Sequence, residues 1–246
     1  MNIVTTTLDW FADPTHWEGP NGIPIRLFEH ISLSAASMLI AVLIALPVGF
    51  LIGHTGRGVR FAVGLANLGR AVPTLAAITI VLPLTSALDP QNGFRVYPTV
   101  IAMVLLAAPP ILVNAYTGIS QVDRDLVEAA RGMGMKELQL LTGVEIPLSL
   151  AVVLAGIRSA SVQVIATATL GAIFGFGGLG RFLVDGIANQ DSGEIYGGVV
   201  LVGALALSSE GVFALLQRLL TSPGLQRVAA PGRVEISSNE AGAAAQ

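Results

Sequence analysis

The chain has 246 residues and a formal charge of −3; 53% of its residues are hydrophobic and 12% are charged, against roughly 25% charged in ordinary soluble domains. A mean hydropathy of +0.73 marks an integral membrane protein. The small net charge and the lack of a basic stripe exclude a nucleic-acid binder. Zero cysteines exclude disulfides, thiolate metal sites and cysteine nucleophiles.

The opening stretch, MNIVTTTLDWFADP, has neither a basic region nor an apolar core, so it does not read as a cleaved signal peptide. Residues 1–30 are expected to form an external N-terminal segment, with Trp10, Phe11 and Trp17 as an interfacial aromatic anchor. A spanning helix needs about 20 mostly apolar residues, and Ile31–Ile52 supplies such a run without a charge. Further spans are expected at Phe61–Leu84, Tyr97–Ile119, Leu148–Phe174 and Ile195–Leu216. These make an all-α transmembrane domain over residues 31–216. Pro47, Pro73, Pro83, Pro109 and Pro110 interrupt the apolar runs, where each removes a backbone donor and can bend a helix. The tail, residues 217–246, is rich in Pro, Gly, Ala and Ser from Ser222 onward and is expected to be disordered on the cytoplasmic side.

Lys and Arg mark the cytoplasmic side. Arg57 and Arg60 follow the first span, Arg124, Arg131 and Lys136 the third, and Arg218, Arg227 and Arg233 the fifth. Only Arg26, Arg95 and Arg181 fall opposite them, among many carboxylates. The N-terminus is therefore expected outside and the C-terminus inside.

Gly175–Gly180, GFGGLG, spells the dinucleotide fingerprint G-x-G-x-x-G. That motif works only where a strand enters it and a helix leaves it. Here a long apolar helix enters it, on the side away from cytosolic nucleotide. It reads instead as a glycine turn that lets the chain leave one helix and re-enter, or as part of an outer gate formed by Gly175, Gly177, Gly178 and Gly180.

The sizeable inner loop, residues 120–147, reads as two short helices. Asp123 or Asp125 can cap the first, Gly132 or Gly134 can stop it, and Met135–Thr142 can form the second. Pro147 opens the next span.

Within this loop, Glu128-Ala129-Ala130, three residues, Gly134, nine residues and then Val144-Glu145-Ile146-Pro147 resemble the EAA loop, E-A-A-x3-G-x9-I-x-L-P, of membrane subunits of binding-protein-dependent ABC importers. Only the two aliphatic positions differ. FEHISLS (28–34), RAVPTLA (70–76), APPILVNAYTGI (108–119), EAARGMGM (128–135) and GFGGLGR (175–181) resemble the osmoprotectant branch, whose members move glycine betaine, choline, carnitine and related amines. The resemblance implies a methionine-permease-like type I importer fold. It also implies a cytosolic ABC ATPase dimer, a second permease subunit, identical or paralogous, and an extracytoplasmic substrate-binding protein. Glu128, Ala129, Ala130, Gly132, Gly134 and Pro147 would belong to the loop that docks the ATPase.

The chain has no G-x-x-x-x-G-K-[ST], so it cannot cradle triphosphate by that route. No cofactor is expected on this chain; ATP and Mg would sit on the partner ATPase. Charges inside spans mark partners or pathways, which singles out Arg70, Arg158 and Glu210. Glu210 is expected to pair with Arg158, either as plain packing or at a gate. Thr74, Asn114, Tyr116 and Gln163 are the polar candidates along a pathway. His16, His30 and His54 are too scattered for a metal site. Import of another small solute, such as an amino acid, and a stand-alone secondary carrier are the competing readings; the latter would not need the loop.

Overall fold

The computed structural model describes residues 2–221, apart from side-chain placement at positions 61, 65 and 68–71. The side chain of Arg70 and the tail from Ser222 lie outside the described residues.

Described residues form helices, in keeping with the apolar runs. Helix α1 (Ile3–Ala12) starts at Asn2, whose side chain accepts from the Val4 N–H at 3.1 Å. A 3-10 turn (Pro14–Trp17) leads to α2 (Ile23–Thr55), which closes on Gly56 at φ +67°. The chain continues through α3 (Val59–Ala71), α4 (Thr74–Leu88) and α5 (Tyr97–Ser120). Helix α6 (Arg124–Gly132) and the short α7 (Glu137–Leu140) come next. A π-helical turn (Leu141–Glu145) joins α7 to α8 (Ile146–Ala168), which ends in a 3-10 stretch (Thr169–Phe174). Helices α9 (Gly180–Asn189) and α10 (Ser192–Leu220) complete the fold.

Four helical segments among the described residues are long and apolar enough to cross a membrane: Ile23–Thr55, Tyr97–Ser120, Glu137–Phe174 and Ser192–Leu220. The span expected at Phe61–Leu84 is instead broken into α3 and α4 at Val72 and Pro73. Proline disfavours helical geometry in the residue before it. The other prolines do not act this way, because Pro47, Pro83, Pro109 and Pro110 all lie inside unbroken helices.

Helix α2 packs along α5, α5 along α8, and α8 against α10. Their shared core is built largely from small residues, including Ala41, Ala45, Ala107 and Ala160, around Met103, Ile111 and Val164. Small side chains let membrane helices approach closely. Gly156 shows how tight this is: a Cβ built there would lie 2.5 Å from the Asn114 Cβ and 2.9 Å from the Pro110 carbonyl oxygen. Gly156→Leu must therefore push α8 away from α5, at a cost of about 1–3 kcal/mol or more. A lowered melting temperature of the detergent-purified protein is the expected result, and an unchanged melt would contradict the packing.

The N-terminal aromatics differ from a simple interfacial belt. Trp10 is buried, stacked on His16 at 4.4 Å and set edge-on to Phe182 at 5.4 Å. It holds α1 against α10, where Gly193 and Gly197 leave room for its ring. Trp17 stays exposed and donates its Nε1–H to the Phe11 carbonyl at 2.9 Å.

Candidate functional site

The loop between α5 and α8 is a braced knob with an open outer surface. Asp123 is its N-cap, accepting from the Asp125 N–H at 2.9 Å, and α6 buries only Ala130. Glu128, Ala129, Gly132 and Pro147 are exposed, with Met133 (79%) and Leu138 (71%) beside them. Exposed apolar groups flanking an acidic residue form a surface suited to a partner. Gly134 turns the chain between α6 and α7 at φ +88°, a left-handed conformation that favours glycine. The expected second helix over Met135–Thr142 does not stand apart. It runs through the π-helical turn directly into α8, so the knob and the span are one rod. The wider turn falls where Pro147 withdraws the N–H that an α-helix would donate to the carbonyl of Gly143.

Ion pairs link the parts of the knob, one of them at its exposed surface. Arg131 makes a two-pronged bond to Glu137, Nε to Oε1 and Nη2 to Oε2, both at 3.0 Å. Hydrogen bonding to Glu137 pushes the Arg131 pKa above its usual value, so the guanidinium stays charged. At the end of α2, His54 lies between two carboxylates: its Nδ1 is 2.6 Å from Glu145 Oε2 and its Nε2 is 3.2 Å from Glu137 Oε2. Glu145 is buried.

At the other end of the bundle, the 3-10 stretch stops at Gly175 (φ +80°), and GFGGLG turns the chain into α9. No strand enters the motif, so a dinucleotide site is excluded. The turn is instead held by side chains from elsewhere. The Gly178 N–H donates to Glu29 Oε2 at 2.7 Å, and Arg95 Nε donates to the Gly175 carbonyl at 2.8 Å. Gly177 presses so closely on Glu29 that a Cβ would sit 1.9 Å from Oε2. Gly180 abuts the Thr169 carbonyl in the same way, at 2.3 Å. Arg26, Arg95 and Arg181 converge here around a polar cavity of about 310 Å³.

Arg158 and Glu210 are brought together across α8 and α10. Arg158 Nε donates to Glu210 Oε1 at 2.6 Å, and Nη2 donates to the same oxygen. Both side chains remain partly open, 36% and 37% exposed, and with Ser159 and Gln163 they line a cavity of about 530 Å³. The other polar candidates lie apart. Thr74 lines a mainly apolar cavity between α3, α4 and α5. Asn114 donates Nδ2–H to the Pro110 carbonyl of its own helix at 2.8 Å. Tyr116 is half-buried on α5, where its backbone lies against Gly49 and Gly53 of α2.

Residues 31–223 match the family of binding-protein-dependent transport system inner membrane components. The chain belongs to this family. As such an inner membrane component, it is a permease subunit, and the family's working parts include a substrate-binding protein and an ATPase. It is 34% identical over 209 residues to the carnitine transport permease protein OpuCB of Listeria monocytogenes, covering 85% of this chain and 93% of that one. It is also 34% identical over 203 residues to the choline transport system permease protein OpuBB of Bacillus subtilis, covering 82% and 90%. The osmoprotectant import permease protein OsmW of Salmonella typhimurium is 34% identical over 199 residues, covering 81% and 92%. An inward-facing structure of the MetNI methionine ABC transporter shares the fold at a TM-score of 0.74 and 18% identity, covering 86% of this chain and 100% of that chain.

The EAA motif locates the permease's knob but not its bracing. His54 lies far away in sequence, at the end of the first span. The only sequence signal was a histidine and a glutamate close to two membrane boundaries, a pattern that does not specify a partner. Glu29 and Arg95, which hold the glycine turn, were equally silent.

Proposed function

We propose that this chain is the permease subunit of an ATP-driven importer for osmoprotectants such as glycine betaine, choline, carnitine or proline betaine. The observation that carries this reading is that relatives at 34% identity over more than four fifths of the chain are permeases for carnitine, for choline and for osmoprotectants. The loop at 120–147 faces the cytosol and seats in a partner ATPase. Glu128, Ala129, Gly132 and Gly134 provide its exposed contact surface, while Ala130 packs inward. ATP and Mg are bound and used on that ATPase. A second permease subunit completes the pathway, and an extracytoplasmic binding protein delivers the solute to the end that carries the glycine turn.

Arg158, Gln163 and Glu210 line the pathway or its gate. A charge pair left open on an apolar helix face is costly against lipid but tolerated against water or another subunit, which supports this placement.

Uptake by cells in which this chain is the sole permease of its kind provides the test. Labelled glycine betaine, choline or carnitine should accumulate, and unlabelled quaternary amines should compete. Competition by amino acids alone would replace the substrate class.

A further inference from the structure

We propose that α2 is a transmission rod between the loop that meets the ATPase and the glycine turn at the opposite end of the bundle, with His54 and Glu29 as the positioning residues that fasten its two ends. The inference rests on the reading of residues 120–147 as the ATPase-docking loop.

Helix α2 is unbroken over 33 residues, about 50 Å at the helical rise. Its last turn is fastened to the knob at two places. His54 reaches Glu145 in the π-helical turn and Glu137 in α7, and Glu137 in turn holds Arg131 of α6. Movement of the knob must either break these contacts or carry the end of α2 with it.

The first turns of α2 are fastened to the glycine turn. Glu29 Oε2 accepts from the Gly178 N–H at 2.7 Å and from Arg26 Nη1 at 2.9 Å. The neighbouring His30 is buried, with Nε2 3.0 Å from the Ile165 carbonyl of α8. Gly178 closes over its ring, since a Cβ there would lie 3.2 Å from His30 Nδ1.

Between these polar ends, the contact with α5 is smooth. Ala41, Ala45, Gly49 and Gly53 face it. A helix gripped at both ends and lined by small side chains between them suits the small sliding displacements by which packed helices transmit change. Displacement of the knob therefore reaches the glycine turn by two routes, along α8 itself and through α2 and Glu29.

The test uses the assembled complex with a cysteine-free ATPase. The permease contains no cysteine, so Ile173→Cys, at an exposed position beside the glycine turn, gives one labelling site on this subunit for an environment-sensitive fluorophore. With the otherwise wild-type permease, trapping the ATPase with ATP and vanadate should change the emission. In His54→Ala and in Glu29→Ala, which removes the acceptor for the Gly178 N–H, the ATPase should still co-purify, while the emission change falls well below that of the wild type. His54→Arg, which can donate to both carboxylates, should recover it, a rescue that a general packing defect would not give. If His54→Ala fails to assemble, Glu29→Ala at the far end decides alone. A full response in the mutants, or none in the wild type with the ATPase bound, overturns the rod. Failure of the wild type to bind any ATPase overturns the docking reading instead.

Discussion

Gly134→Asp is expected to abolish co-purification of the partner ATPase while leaving the permease itself folded. Gly134 has φ +88°, and a Cβ built there meets no atom within 4 Å. The substitution therefore crowds nothing inside this chain. The backbone penalty is about 1 kcal/mol, and Asp tolerates the left-handed region better than most residues. Docking is another matter, because the change puts a carboxylate on the exposed corner between α6 and α7, next to the exposed Met133. Gly134→Asn separates the two effects, since it matches Asp in shape and backbone tolerance but adds no charge. Pull-down of the ATPase and the melting temperature of the permease, measured on both variants, check the prediction. A large drop in melting temperature with Gly134→Asn would show that the glycine serves the fold instead.

Glu210→Ala is expected to reduce solute transport by roughly tenfold or more, because it strands the Arg158 guanidinium on an apolar helix face. The effect should be larger than that of removing both charges together. Arg158→Met with Glu210→Met leaves no orphan and should assemble well, and its residual transport reports what the ion pair does beyond holding α8 to α10. If the pair is only packing, the double variant transports normally; if it lines the gate, transport stays low in a well-folded protein. Initial uptake rates normalised to the amount of assembled complex distinguish the two.

The long spans were legible because lipid demands unbroken apolar helices, and residues 31–52 and 97–119 state that demand directly. The break in the second apolar run is not legible from hydropathy, which sums over Pro73 without registering that proline disfavours helical geometry at Val72. The other four prolines carry the same signal in sequence, yet helices pass through each of them, and only the structure separates the two cases. The knob was legible through Gly134 and the EAA spacing, which fix a local turn. Its continuity with α8 was not, since a π-helical turn has no composition of its own. The pairing of Arg158 with Glu210 could be anticipated because a mid-span charge needs a partner and few exist. His54, Glu29 and Arg95 sit near span ends, where charges are ordinary, so their contacts with Glu145, Gly178 and Gly175 depend on tertiary geometry that sequence order does not carry.

The most direct test of the central claim is uptake into proteoliposomes containing this permease, with its second subunit if that is a paralogue, its ATPase and its binding protein. Labelled glycine betaine, choline or carnitine should enter only when ATP is available to the ATPase, and Gly134→Asp should bring entry to background. Solute entry through the permease without the ATPase, at the rate seen with it, would contradict the account and make the chain a self-sufficient carrier.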